Sequence, residues 1–213
     1  MKGVMQESLL PWMLNGTMQA PFLCSGDEAE SLLLGHLVAS GWVDDAEDVQ
    51  SIRIENGLWQ VQARLCAWAS KPLVQHLDVL QPLEAGFALP ASEIIRCCEQ
   101  VMELDHGTGL HAVLLCDGEK TALGRDIGRH NALEKAVGSA IRTGLRPERT
   151  ILAASGRLSL EMLARAAFAR VPILVTKKQV GSLCATYAQR LNIAVCRLGA
   201  ALEPLTHSER VEE

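Results

Sequence analysis

The stretch TILAASGRLSLEMLARAAFARVPILVT, Thr150 to Thr176, carries the pattern that decides the fold. TILAAS is a short apolar run without alternation, SLEMLARAAFA (Ser159 to Ala169) is helical, and PILVT from Pro172 is apolar again. Two continuous apolar strands flanking a helix indicate a strand–helix–strand unit whose strands are buried on both faces. The pattern continues outward. SLCATYAQRL from Ser182 and IAVCRL from Ile193 add a helix and a strand on the C-terminal side. On the N-terminal side, ALEKAVGSAI places Ala132, Leu133, Ala136, Val137, Ala140 and Ile141 on one helical stripe. HAVLLC (His111 to Cys116) reads as a strand, and SEIIRCCEQVMEL (Ser92 to Leu104) as a helix capped by Ser92. Residues 91–213 are therefore expected to form a three-layer α/β domain around a largely parallel sheet.

The first half is less regular. It has a turn at Asn15–Gly16 and a helical segment from Asp27 to Trp42, with Leu33, Leu34, Leu37 and Val38 at helix spacing. SIRIENG and LWQVQARL alternate apolar and polar residues around Asn56–Gly57, which signals a hairpin. Residues 68–90, with three prolines and Gly86, read as a connector. A smaller N-terminal α+β domain with its connector, residues 1–90, is expected. The 213 residues are 48% hydrophobic and only 4% aromatic, so the core is aliphatic. A net charge of −5 argues against a surface that coats nucleic acid or anionic membrane. The start lacks the apolar run of a signal peptide, no segment is long enough to span a bilayer, and seven cysteines without framework spacing indicate reduced thiols. A cytoplasmic protein is expected.

Ligands of such sheets bind beyond the carboxyl ends of the strands, where helix N-termini present free N–H groups. Two turns fit. GRDIGRHNALEKAVG (Gly124 to Gly138) supplies Gly128, Arg129, His130 and Asn131; AASGRLSLEM (Ala153 to Met162) supplies Ser155, Gly156, Arg157 and Ser159. Each brings Gly-Arg to a helix entry, where glycine permits close backbone approach and a guanidinium offers a planar fork for phosphate. Two such turns suggest a pocket for a phosphorylated anion. A structural alternative stands beside this: Arg157 pairing with Glu161, Asn131 and Ser159 as N-caps, and His130 as a satisfied structural histidine.

Other chemistries lack their residues. There is no His-x-Glu with Pro-Cys-x-x-Cys for a zinc deaminase, no phosphate-binding P-loop, no G-x-G-x-x-G and no nucleophile elbow around Ser155. No metal site is indicated. Among the cysteines, one of the adjacent Cys97 and Cys98 should face the core, and Cys116, Cys184 and Cys196 lie in apolar segments. Cys66, after the hairpin, is the cysteine expected to be exposed.

IGRHNALEKAVG resembles the Asp-Val-Gly-Arg-His-Asn-Ala-Leu-Asp-Lys signature of the formate dehydrogenase accessory sulfurtransferases, the FdhD family. SGRLSLEM resembles its Ser-Gly-Arg-x-Ser-x-Glu-Met turn, TGLHAV (Thr108 to Val113) its Thr-Gly-Gly-x-His-Ala, and LGHLVASGWV its Gly-Phe-Leu-x-x-Glu-Gly segment. The resemblance implies a cytidine-deaminase-like three-layer C-terminal domain without zinc, and a homodimer. It implies a carrier that takes persulfide sulfur from a cysteine desulfurase and passes it to the bis-guanine-dinucleotide molybdenum cofactor destined for formate dehydrogenase. GDP would then serve as a fragment of that cargo. By the same similarity Val195, Cys196, Arg197, Leu198, Gly199 and Ala200 match a cofactor-contacting region.

Two departures stand out. The family's Cys-Gly-x-Cys-Gly loop should follow the hairpin, where this chain reads CAWASKPLVQHLDV with Cys66 alone, and the acidic residue before Asp-Val-Gly is replaced by Arg125. A persulfide carrier needs an accessible thiol of low pKa. The sequence therefore supports a cofactor-binding accessory protein with Cys66 as candidate sulfur carrier, or a divergent binding module without sulfur chemistry. A small-molecule enzyme using His130 or His111 as base is a third reading, although neither histidine has an evident carboxylate partner in sequence.

Overall fold

A computed structural model describes residues 6–67, 69, 72–105 and 109–212. The chain begins with β1 (Ser8–Leu10), β2 (Trp12–Leu14), β3 (Thr17–Met18) and β4 (Phe22–Cys24), then helix α1 (Ala29–Ala39). β5 (Val49–Glu55), β6 (Leu58–Ala63), β7 (Leu89–Pro90) and helix α2 (Ala91–Asp105) follow. The C-terminal half runs β8 (His111–Cys116), β9 (Thr121–Asp126), α3 (Arg129–Arg142), β10 (Ile151–Ala154) and α4 (Leu160–Phe168). It continues through β11 (Ile173–Thr176), α5 (Ser182–Leu191), β12 (Ala194–Leu198), β13 (Leu202–Thr206) and β14 (Val211–Glu212).

The main sheet has the order β13-β12-β11-β10-β8-β9. β10, β11 and β12 are parallel, and β9 runs with them because β8 is antiparallel to both β9 and β10. β13 is the second reversed strand. Burial on both faces explains the unbroken apolar runs. Ile151, Ala153, Ile173, Val175 and Cys196 pack with Ile94 and Val101 of α2. Leu152, Leu174 and Val195 turn the other way, into the layer of α3, α4 and α5. Helix α2 starts at Ala91, so Ser92 lies inside its first turn rather than capping it. Both Cys97 and Cys98 are buried, not one of them. Cys97 meets Cys116 on β8, and Cys98 neighbours Cys196 on β12.

The hairpin is present as read. β5 and β6 are antiparallel, with Glu55 opposite Leu58. Asn56 and Gly57 both have positive φ, 50° and 78°, as a tight two-residue turn demands. β2 joins the same sheet, in the order β3-β2-β6-β5, and its Trp12 packs with Leu32, Leu33 and Leu37 of α1.

Helices α1 and α3 cross with almost no gap. A Cβ at Gly35 would lie 1.7 Å from the Glu134 carbonyl oxygen, and one at Gly138 1.9 Å from that of Ser31. A Cβ at Gly124 in β9 would come within 2.1 Å of the Ala132 carbonyl. α3, whose first residue is Arg129, is thus clamped between its own strand and α1. The connector is held by the C-terminus: the Arg210 guanidinium donates to Phe87 O at 2.9 Å and Glu84 O at 2.7 Å, and β14 pairs with β7. Among the described residues no helix is long and apolar enough to cross a membrane.

Candidate functional site

The turn from β9 into α3 is built around the buried carboxylate of Asp126. Its Oδ1 accepts from Gly128 N–H at 3.0 Å and from the Asn131 amide at 2.9 Å. Its Oδ2 accepts from Ser25 N–H at 3.0 Å and lies 2.8 Å from Lys135 Nζ. Burial opposes the charge on Asp126, but the Gly128, Lys135, Ser25 and Asn131 donors overcome it and hold the carboxyl below the usual range. Lys135 also reaches Asp27 Oδ1 at 2.6 Å, Ser25 Oγ at 2.7 Å and Arg125 O at 3.1 Å. Burial would discharge its ammonium, yet the Asp126 and Asp27 carboxylates raise its pKa.

One turn further along α3, buried Glu134 accepts from His36 at 3.1 Å and from Arg165 Nε at 2.9 Å. Its carboxyl is kept low against burial by those two partners. Asp126, Asn131, Glu134 and Lys135 are therefore engaged in holding α3. Asn131 is no N-cap; Gly128 occupies that place. Arg129 is the member of this stretch left to face a ligand, while His130 turns toward Glu161 of α4.

The second turn comes directly against the first. A Cβ on Gly156 would lie 3.3 Å from His111 Nδ1 and 3.8 Å from Arg129 Cβ, so the two Gly-Arg turns are immediate neighbours and the tighter approach is to the His111 ring. Ser155 is buried, and its hydroxyl accepts from Ala112 N–H at 3.0 Å, continuing the β8–β10 pairing. Ser159 caps α4 by accepting from Met162 N–H at 3.4 Å. His130 has a carboxylate neighbour that the sequence did not reveal: its Nε2 lies 3.1 Å from Glu161 Oε2, out of line for a hydrogen bond. Burial and then Arg165 lower the His130 pKa, with Glu161 opposing, so the ring is neutral at pH 7.

A third turn completes the site. Leu158 N–H donates to Gln179 O at 3.1 Å and Gly181 N–H to Leu158 O at 2.9 Å, which ties the β11–α5 turn to the β10–α4 turn. Between the three turns lies a pocket of about 270 Å³, lined by Arg129, Arg157, Ser159, Gln179 and Gly181. Arg129 Nε is buried without a hydrogen-bond partner among the described residues. The N-termini of α3, α4 and α5 all open on this edge of the sheet. Gln179 and Gly181 escaped the sequence reading; their signal was VTKKQVGS, a third strand-to-helix turn with two lysines and a glycine at the helix entry.

The remaining expected residues are more dispersed. Val195 and Cys196 have buried side chains inside β12, and Leu198 is nearly buried. Arg197 is turned outward, with its guanidinium 2.7 Å from Glu203. Gly199 and Ala200 are exposed in the turn after β12, on the same sheet edge as the three turns. Cys66 is elsewhere. Its Sγ donates to Gly41 O at 2.9 Å, and it is half-buried while the other six cysteines are buried. It lines a separate cavity of about 800 Å³ with Leu83, Phe87, Phe168, Arg149 and Pro172. Arg149 and Pro172 precede β10 and β11, so this cavity opens at the opposite end of the sheet. Helix α4 alone, with nine residues, separates the two ends by about 13 Å. Trp68, Ser70 and Lys71 of the interval after Cys66, and Thr108 of TGLHAV, lie outside the described residues.

The profile of the FdhD/NarQ family matches residues 5–212. A protein from Bacillus subtilis named sulfur carrier protein FdhD is 28% identical, covering 94% of this chain and 87% of that protein. One of the same name from Wolinella succinogenes is 27% identical, covering 98% and 82%. A crystal structure of a formate dehydrogenase accessory protein from Desulfotalea psychrophila superposes with a TM-score of 0.82 at 24% identity, covering 97% of this chain and 90% of that one.

Proposed function

The chain belongs to the FdhD/NarQ family, and from that premise we propose that it is a sulfur-carrying accessory protein for formate dehydrogenase. It holds a phosphorylated end of the guanine-dinucleotide molybdenum cofactor, its cargo, between Arg129 and Arg157. The observation that carries this reading is the convergence of three strand-to-helix turns, with two guanidinium groups, on one pocket. At about 270 Å³ the pocket sits near the low end of ligand sites, roughly 300–1,000 Å³, and suits one end of a large molecule. The unpartnered Arg129 Nε fits an anion that would complete it. Helix N-termini add N–H groups and partial positive charge. The sheet order, with helices on both faces, supports the cytidine-deaminase-like layering that the resemblance implies. A cysteine desulfurase as donor, formate dehydrogenase as recipient and a homodimer are the partners this reading requires.

Titration of the purified protein with GDP, as a fragment of the cargo, tests the pocket. Arg129→Ala and Arg157→Ala should each weaken binding about tenfold or more, since a charged hydrogen bond to phosphate contributes about 1.5–3 kcal/mol. Ser155→Ala should leave affinity within about twofold, because Ser155 is buried and does not line the pocket. No GDP binding, or binding indifferent to both arginines, would sink the assignment.

A second reading is a cofactor-holding module without sulfur transfer. It is favoured by the position of Cys66, alone and at the far end of the sheet from the arginine pocket. Incubation with a cysteine desulfurase and sulfur-labelled cysteine separates the two. Label that stays on the protein and vanishes in Cys66→Ser refutes the second reading; absence of label refutes sulfur carriage.

A further inference from the structure

Helix α2 lies on the sheet face opposite α3, and under it Cys97 meets Cys116 at the end of β8. Two donors converge on Cys116 Sγ, and the Cys97 thiol neighbours it. The Gly118 N–H is 3.3 Å away and an Arg96 guanidinium nitrogen 3.7 Å away. Arg96 is held in place by Glu93, whose carboxylate accepts from Nε at 3.0 Å. A sulfur atom that accepts from an amide and a guanidinium is set up to carry negative charge.

Its neighbours behave differently. Burial pushes the thiols of Cys98 up to about 11 and of Cys184 and Cys196 up to about 12. Cys116 is drawn down to about 6, by the neighbouring Cys97 thiol first and by Gly118 and Arg96 after it, against the effect of burial. Cys97 is correspondingly raised and keeps its proton. The two groups differ because Cys116 ends a strand, within reach of the turn amide at Gly118, whereas Cys184 and Cys196 have only apolar surroundings.

We propose that Cys116 and Cys97 form a peroxide-sensitive dithiol, with Cys116 the attacking thiolate and Cys97 the resolving thiol. The oxidant is a hydroperoxide, ROOH. Cys116 thiolate attacks the terminal oxygen and the O–O bond breaks. The departing RO⁻ takes up the proton that Cys116 released on ionising, leaving ROH and a sulfenic acid on Cys116. The Cys97 sulfur then attacks the sulfenic sulfur, the S–O bond breaks, and the oxygen leaves as water with the Cys97 proton. One disulfide, one ROH and one water result, and the two electrons lost by the sulfurs reduce the peroxide. Arg96 assists both departures by its positive charge, a role that a purely structural thiol contact would not need.

Access is local rather than global. Cys116 is buried, but the next residue opens an exposed turn, and the Arg96 side chain over it is itself half-exposed. Gly118 has φ of 103°, and a Cβ there would meet only a Leu89 methyl, at 4.0 Å, so the turn has room to shift. Closing the disulfide then needs the neighbouring α2 and β8 sulfurs to approach to about 2.05 Å. Such a bond would fasten α2 to β8 in the layer behind the arginine pocket.

The test uses the whole reduced protein, freed of thiol reductant and exposed to stoichiometric hydrogen peroxide. The tryptic peptide of residues 97–120 contains Cys97, Cys98 and Cys116. It should lose two hydrogens and regain them with dithiothreitol. In Cys97→Ser the loss should disappear and dimedone should label Cys116; in Cys98→Ser the disulfide should still form. Arg96→Ala should slow the reaction about fivefold or more, as removal of a charge beside a thiolate does. An unchanged peptide at peroxide levels that oxidise Cys66 overturns the proposal, as does a two-hydrogen loss that survives Cys97→Ser. Should the serine variants fail to fold, differential alkylation of the wild-type protein decides: the first label, added before reduction, should sit on Cys98, and a first label on Cys97 or Cys116 overturns the proposal.

Discussion

Replacing Lys135 by methionine would show what keeps the Arg129 turn in place. The Lys135 and Asp126 side chains are both fully buried, 0% exposed, with Nζ 2.8 Å from Oδ2. Methionine fills a similar volume but removes the cation, and leaves the Asp126 charge inside the fold. Breaking a buried pair in this way costs about 3–5 kcal/mol. Asp126 keeps the Gly128, Ser25 and Asn131 donors, which places the expected loss near 3 kcal/mol, the lower end of that range. In a chain of about 150–250 residues each kcal/mol lowers Tm by about 2–4 °C, so a fall of about 6–12 °C is expected. Asp27 is mostly exposed, 62%, so Asp27→Ala should cost no more than about 1 kcal/mol.

Two further readings make the prediction discriminating. Adding Asp126→Asn to Lys135→Met removes the uncompensated charge and should recover about 1–2 kcal/mol, a coupling that independent sites would not show. GDP affinity should fall in Lys135→Met as well, because Asp126 fixes both Gly128 and Asn131 around Arg129. Calorimetric melting of Lys135→Met, Asp126→Asn, their double variant and Asp27→Ala, with GDP titration, is sufficient. A Tm for Lys135→Met within about 2 °C of wild type, or a double variant less stable than the sum of the singles, would refute the reasoning.

Gly138→Ala puts a Cβ 1.9 Å from the Ser31 carbonyl oxygen. The α1–α3 crossing must open, and chemical denaturation should show a loss of about 1–3 kcal/mol or more, against the gain that alanine usually brings to a helix. The pH dependence of stability should have two components. Asp126 and Glu134 are lowered in the fold, so the unfolded chain binds more protons in acid and their contribution is lost as pH falls below about 4. His130 is also lowered, so stability should begin to decline already as pH drops through about 6.5. In His130→Gln the first decline should vanish and the second remain, measured by denaturant midpoints across pH.

The sequence made the C-terminal sheet legible because its strands are buried on both faces, and such strands need no partner to be recognised. Thr150 to Thr176 reads as strand, helix and strand without reference to anything else. β9 is different: TALGRD contains a glycine required by the approach of α3 and an aspartate required by Lys135, so two tertiary contacts hide its strand character. The strands before residue 25 span only two or three residues each, too short for any period to register.

The candidate site divides along the same line. Gly-Arg at two helix entries was visible because glycine and arginine have local reasons to be there. Which neighbours face a ligand was not, since that depends on residues about thirty to one hundred positions away. Asn131 resembles a cap until Leu23 O and Asp126 are seen to hold its amide. Ser155 resembles a phosphate donor until it is seen to be buried outside the pocket, accepting from Ala112 N–H. Glu161 resembles a partner for Arg157, yet it lies against His130. In each case the residue type announces a polar contact and the fold chooses with whom. Cys66 illustrates the limit most clearly: that it is the least buried cysteine could be judged from its place after the hairpin, whereas its half-burial against Gly41 O could not, and its separation from the arginine pocket is fixed by the direction of β10 and β11, which places the root of the N-terminal hairpin at their starts and the helix N-termini at their ends.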